Sequence, residues 1–219
     1  MVISTTTLMP IYMVTLMPSN FKIRRLLLSS ALAVPLLSVL PLPSEAALTK
    51  ASANELVNRM VSDINKVIAS GKSEPAMIRD FEKLFIKYAD VPIMARYALG
   101  VDGRRASKSQ MKSFTKAFQS YISSKYGRRF REFIGGSLKV KSTRKIKTGF
   151  EVKSIAVLKG QAPFEVTFLV SDKSGKGKFY NMFIEGINLL LTERTEIGAM
   201  LDRRGGNIDQ MIADLKKIG

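Results

Sequence analysis

The chain of 219 residues has no cysteine, no histidine and no tryptophan. Without thiols there is no disulfide, no thiolate nucleophile and no lipid-modified cysteine; without imidazole there is no Ser-His triad, no zinc finger and no histidine general base. Acid-base chemistry would fall on carboxylate pairs, and none stands out: Glu185 has no second carboxylate at a matching spacing. Gly103-Arg104-Arg105 and Gly175-Lys176-Gly177 are too short for phosphate loops and read as turns. Negative charge is also scarce, with 18 acidic residues against 35 Lys and Arg. The resulting net charge of +17 calls for an anionic partner: nucleic acid, a phospholipid surface or an acidic protein face. A hydrophobic content of 46% and a charged content of 24% are ordinary for globular chains and exclude fibrous or wholly disordered ones.

The first 46 residues read as an export signal. Lys22, Arg24 and Arg25 form a positive region, residues 26–42 are apolar and uncharged, and Ser44-Glu45-Ala46 puts small residues at the −3 and −1 positions of a cleavage site. Pro35 and Pro41 break the run, and no positive stop follows it, which argues against a retained membrane span. Either a general secretory or a twin-arginine route fits Arg24-Arg25, and Met17 would start a signal of more usual length. Cleavage after Ala46 removes three basic residues and one acidic residue, lowering the net charge from +17 to +15. The exported domain, 47–219, is therefore basic in its own right and long enough to be held by a core without disulfides.

That domain reads as helices first and strands second. Leu56, Val57, Met60, Val61, Ile64, Val67 and Ile68 recur at helical spacing up to Gly71, and Met77, Ile78, Phe81, Leu84, Phe85 and Tyr88 repeat the pattern after Glu74-Pro75. Asp90 caps a short third helix closed by Gly100, and Ser107 with Gln110 is a capping box for a fourth that carries Met111, Phe114, Phe118, Tyr121 and Ile122 and runs on towards Phe133. Beyond Gly135-Gly136 the period changes to two, through Leu138 to Ile146, Phe150 to Leu158, Phe164 to Val170 and Phe179 to Ile184. The charge-free run Ile187 to Leu191 predicts a last strand bent at Gly186, followed by helices over Arg194 to Arg203 and Ile208 to Leu215. The expected class is α+β, with helices packed on one face of a curved antiparallel sheet of four or five strands that encloses an apolar cavity.

The segment Ile184-Glu185-Gly186-Ile187-Asn188-Leu189, then Arg194, Ile197, Leu201 and Gly206, and the closing run from Ile208 to Leu215 resemble the C-terminal signature of the MlaC, or toluene-tolerance, family. Val91 to Gly100, followed by Gln110, Phe114, Phe118 and Tyr126, resembles the N-terminal half of that family. The chain departs from the pattern at Asn181, where many members carry Asp, and in lacking a Trp after the third helix. The resemblance implies a periplasmic phospholipid carrier that maintains outer-membrane lipid asymmetry. Its implied partners are an outer-membrane lipoprotein and an inner-membrane ABC transporter complex with an MCE-domain ring. It also implies a monomer with no catalytic residue, no metal, no nucleic acid and no cofactor beyond the lipid cargo.

Such a carrier must sheath two acyl chains, about thirty methylenes at ~0.8 kcal/mol each, so exposing them would cost over about 20 kcal/mol. On that implication the lipid-binding candidates are Met94 and Tyr97 in the third helix and Phe114, Phe118 and Tyr121 in the fourth. From the strands come Val140, Val152, Phe164, Val166, Phe168, Tyr180, Met182 and Ile184. Each of these residues, taken alone, is more often ordinary core, and it is the resemblance that moves them as a group. The basic clusters Lys125, Arg128, Arg129 and Arg131, and Lys139, Lys141, Arg144, Lys145 and Lys147, read either as solvated faces or as a surface for anionic head groups or an acidic partner. Arg194, expected near a helix start where a cation opposes the dipole, is expected to pair with Glu185 or Glu193. The alternative to a carrier is a basic exported module that binds an anionic polymer or an acidic protein. Strand aromatics alternating with charge face inward and argue against a nucleic-acid platform.

Overall fold

A computed structural model describes residues 47–133 and 136–219. The export segment read at residues 1–46 lies outside them. Helix α1 (Lys50–Ile68) opens on a capping box in which Thr49 accepts from Ser52 N–H while the Ser52 hydroxyl accepts from Thr49 N–H. Helix α2 (Glu74–Tyr88) has proline in its first turn, where a missing N–H breaks no helical bond. Asp90 caps α3 (Val91–Leu99) by accepting from Ile93 N–H, and Ser107 with Gln110 forms the reciprocal box at the start of α4 (Lys108–Gly127). The continuation of α4 towards Phe133 is a tighter 3₁₀ segment, Arg128–Phe133.

The strands β1 (Ser137–Ile146), β2 (Gly149–Val157), β3 (Phe164–Ser171), β4 (Lys178–Ile184) and β5 (Ile187–Asn188) form one curved, open antiparallel meander in chain order. Register places Ala156 opposite Phe164, Ser154 opposite Val166, Val152 opposite Phe168 and Phe150 opposite Val170, so these side chains share the face that the helices cover. A bulge between Leu169 and Val170 then sets Phe168 against Met182 and Val170 against Phe179. A second bulge, between Val140 and Ser142, shifts the alternation of β1, so that Thr143 is its buried residue and Lys139, Lys141, Arg144 and Lys145 stay exposed on an edge strand.

The expected bend at Gly186 is instead a tight turn. Ile184 pairs with Ile187, Glu185 and Gly186 both have positive φ, and the chain leaves the sheet after two further residues. Helix α5 (Leu189–Asp202) starts five positions before the predicted Arg194, because the Asn188 side chain accepts from Leu191 N–H and caps a run of leucines, which are good helix formers. Asn181 Nδ2 donates to Asn188 Oδ1 at 3.0 Å, and Asn181 Oδ1 accepts from Leu190 N–H at 3.3 Å, which ties that cap to β4. Helix α6 (Ile208–Ile218), capped by Asn207, buries Ile208, Met211, Ile212 and Leu215 and packs on α4.

The helices form the second layer: α1 crosses β1, β2 and β3, while α3 and α5 reach β4. At the corner between α2 and α3, Asp90 N–H donates to Phe179 O at 2.8 Å and fixes β4 to the helical layer. Asp63 clasps α1 to α2, accepting from Lys87 Nζ at 2.8 Å, from Tyr88 Oη at 2.7 Å and from Lys66 at 3.1 Å within α1. Those bonds, Lys87 first, then Tyr88 and Lys66, hold its carboxyl far below the usual carboxylate range. Because the folded-state pKa lies below the unfolded one, the clasp contributes fully above about pH 4 and fades as pH falls through the folded value. Asp63→Asn is therefore expected to lower stability at pH 7 by about 1 kcal/mol, with the wild-type and variant curves converging in acid. Thermal melts between pH 2 and pH 7 check this, and parallel curves would remove Asp63 from the pH response.

Candidate functional site

Between the layers lies a cavity of about 320 Å³, at the lower end of the size range of ligand pockets. The C-terminal half of α1 supplies Met60, Val61, Ile64 and Ile68, α2 supplies Phe81, Leu84 and Phe85, and the end of α4 supplies Ile122 and Tyr126. The opposite wall is sheet: Leu138, Phe164, Val166, Phe168, Phe179, Met182 and Ile184, with Leu158 beside it. Four rings run through this lining as a chain. Phe81 stacks with Phe85 at 6.3 Å, Phe85 meets Phe179 at 6.3 Å, and Phe179 meets Phe168 edge-on at 5.9 Å. Such pairs add roughly 0.5–1.5 kcal/mol each beyond their buried area, so the rings help to hold helix α2 to the sheet.

Polar groups enter at the rim. Asn65, Arg129, Gln161 and Glu185 all line the cavity and are all solvent-exposed, which marks the mouth between α1, the 3₁₀ segment, the β2–β3 loop and the β4–β5 turn. An apolar interior with an exposed polar mouth suits an amphiphile whose head stays wet.

Behind Tyr126, a polar cluster joins α4 to α5. Glu193, 1% exposed, accepts from Tyr126 Oη at 2.5 Å and from Lys125 Nζ at 2.9 Å, while Glu196 accepts from Lys125 at 2.6 Å and from Tyr121 Oη at 2.7 Å. Burial, reinforced by the bond to Glu193, pushes the Tyr126 hydroxyl well above its usual pKa, and burial with the bond to Glu196 does the same for Tyr121. Burial opposes the charge of Lys125, yet its bonds to Glu196 and Glu193 outweigh that and leave its pKa raised. Burial likewise raises Glu196, and the bonds from Lys125 and Tyr121 reverse the sign and hold it low. Both carboxylates are thus engaged with one cation and two phenols, an arrangement that locks α5 against α4. Among the described residues no group of three or more acidic side chains is placed to hold a metal ion.

Of the residues singled out from the sequence, Met94, Phe164, Val166, Phe168, Met182 and Ile184 are brought together in the lining. The other seven lie elsewhere. Phe114 and Phe118, 5.8 Å apart, are wholly buried in α4, whose neighbours are α2, α3 and α6. Tyr121 is buried against Glu196, and Val152 is buried on the inner face of β2 outside the cavity. Val140 sits half-buried at the β1 bulge, and Tyr180 hydrogen-bonds Thr148 at the β1–β2 turn. Tyr97 is exposed on α3, with the Arg194 guanidinium 5.4 Å over its ring. Arg194 therefore stands in the second turn of α5, stacked on an aromatic, and pairs with neither Glu185 nor Glu193. It also crosses Gly100 so closely that a Cβ there would sit 3.0 Å from Nε, a close approach that glycine allows.

The lining from α1 and α2, with Tyr126, was not among the candidates. Its signal was present in the apolar stripes, which announce a buried face without saying whether that face meets side chains or space. The basic residues Lys139, Lys141, Arg144, Lys145 and Lys147 are all exposed, and Arg144 is engaged with Glu151 at 2.6 Å.

Comparison with known proteins adds two findings. A family model described as MlaC protein matches residues 54–217. Among solved structures, the phospholipid-binding protein from Ralstonia solanacearum, in complex with a phospholipid, superposes with a TM-score of 0.64 at 20% identity, covering 74% of this chain and 98% of that one.

Proposed function

The chain belongs to the MlaC protein family, and from that premise we propose that it is a non-enzymatic periplasmic carrier of phospholipid. In this role the acyl chains enter the cavity between α1, α2 and the β3–β4 wall, and the head group stays at the mouth. The observation that carries the proposal is the form of the cavity, with an apolar interior of aliphatic and aromatic side chains and polar, exposed residues confined to its rim. The bound phospholipid of the similarly folded Ralstonia solanacearum protein supports the same cargo. Residues 1–46 act as a cleaved export signal, and no helix among the described residues is long and apolar enough to cross a membrane. Lipid is received from and delivered to membrane-bound partners, an outer-membrane lipoprotein and an inner-membrane MCE-domain ABC transporter, in the upkeep of outer-membrane asymmetry. Because both donor and acceptor membranes are as apolar as the cavity, transfer needs no chemistry in the carrier, and direction comes from the partners.

Native mass spectrometry of protein purified without detergent tests the reading. A phospholipid adduct that leaves on denaturing extraction is expected. Folded protein that is empty and takes no lipid from vesicles would overturn the carrier, and the basic surface would then become the place to seek an anionic partner.

A further inference from the structure

Glu185 differs from the other residues at the cavity mouth in its backbone. With φ at 49°, it is the one non-glycine residue of positive φ among the described residues, and Gly186 beside it has φ at 78°. The pairing of Ile184 with Ile187 makes the two the centre of a two-residue hairpin, a turn that selects Asn-Gly or Asp-Gly. Short amide and carboxylate side chains tolerate the left-handed region through local hydrogen bonds, whereas other side chains held there cost roughly 1–2 kcal/mol. Nothing in the fold offsets this. The Glu185 N–H donates to Glu165 O at 2.9 Å, but its exposed carboxylate has neither a hydrogen bond nor an ion pair with any described residue. A charged side chain has thus been placed where a short one would be more stable, and it is unused by the fold.

The cavity supplies a use for it. Glu185 and Arg129 both line the cavity and both are exposed, so one mouth carries an anion and a cation beside the amides of Asn65 and Gln161. We infer that Glu185 reads the head group, accepting hydrogen bonds from the ammonium of a zwitterionic, ethanolamine-type phospholipid. Arg129 is the cation that the phosphate of the same lipid meets. The inference rests on the carrier reading and sharpens it to a class of cargo. It also runs against the overall electrostatics, since a basic domain attracts uncompensated anionic head groups more strongly than neutral ones. A preference for ethanolamine lipid therefore has to come from a local anion.

The test offers vesicles of equal phosphatidylethanolamine and phosphatidylglycerol to delipidated wild type, Glu185→Gln and Glu185→Asn, and counts the lipids captured. Wild type is expected to take about two- to fivefold more ethanolamine lipid, the scale of an exposed ion pair. Both variants should capture the two lipids near parity or favour the glycerol lipid. Glu185→Asn should melt no lower than wild type, because asparagine suits the turn, which separates loss of the carboxylate from loss of the hairpin. Equal capture by wild type, or a preference that survives in Glu185→Gln, would overturn the inference. Capture of neither lipid by any form would overturn the carrier reading itself, and the inference with it.

Discussion

Phe168→Asp is expected to purify almost free of lipid. Phe168 is 4% exposed, lines the cavity from β3 and closes the chain of rings through Phe179, 5.9 Å away. A carboxylate there keeps its hydration only if acyl chains stay out, and desolvating it against hydrocarbon costs several kcal/mol. Each ~1.4 kcal/mol is tenfold in affinity, so affinity for lipid should fall by about two orders of magnitude or more. The same substitution removes an aromatic pair and buries a charge in a packed wall, so folding suffers too. Met182→Asp provides the control, because Met182 faces Phe168 across the β3–β4 ladder, lines the same cavity and is only half-buried. Lipid content by mass spectrometry, with circular dichroism to verify folding, reads both variants. Folded Met182→Asp with lipid at the wild-type level would take the β3–β4 wall out of the site.

Phe118→Ala should give the opposite pattern, a large loss of stability with lipid binding intact. Phe118 is wholly buried beside Phe114 in α4 and does not reach the cavity. Deleting a buried phenyl ring loses its transfer free energy and leaves a void, a cost of about 3–5 kcal/mol. In a domain of this size that lowers the melting temperature by about 10 °C. Below its own transition the variant should capture lipid from vesicles within about twofold of wild type, since the cavity walls come from other side chains. Calorimetry and the same capture assay decide between the two roles. A Phe118→Ala protein that melts normally but loses lipid would place Phe118 in the cargo path.

The contrast between Phe118 and Phe168 also explains which parts of the molecule were legible in the sequence. Caps announce themselves by chemistry: Asp90, Ser107 and Gln110 stand where their side chains can satisfy orphan N–H groups, and α3 and α4 begin there. The start of α5 was harder to see. Its cap, Asn188, sits between Ile187 and Leu189 inside an apolar run that also suits a strand, and a Glu-Gly pair lacks the usual signature of a two-residue turn. The α+β class follows from the change of period after the fourth helix, and the order of the strands from the short turns between them. The division between core and lining does not follow from period at all. Phe118 and Ile122 lie four apart on one stripe, yet the first is enclosed by helices and the second borders the cavity. Where a helix ends relative to the space beneath it is a property of the assembled layers, and no residue type encodes it.

The position of β1 at the margin of the meander has a consequence for life at high concentration. A marginal strand presents unpaired backbone N–H and C=O groups that another copy of the chain can extend into a continuous sheet, the first step towards fibrils. Here Lys139, Lys141, Arg144 and Lys145 project from that strand, and the bulge between Val140 and Ser142 breaks its regular spacing. Two such margins brought together would set like charges against one another across a mismatched ladder. The lysines of β1 thus keep the molecules apart from one another, whatever else they attract.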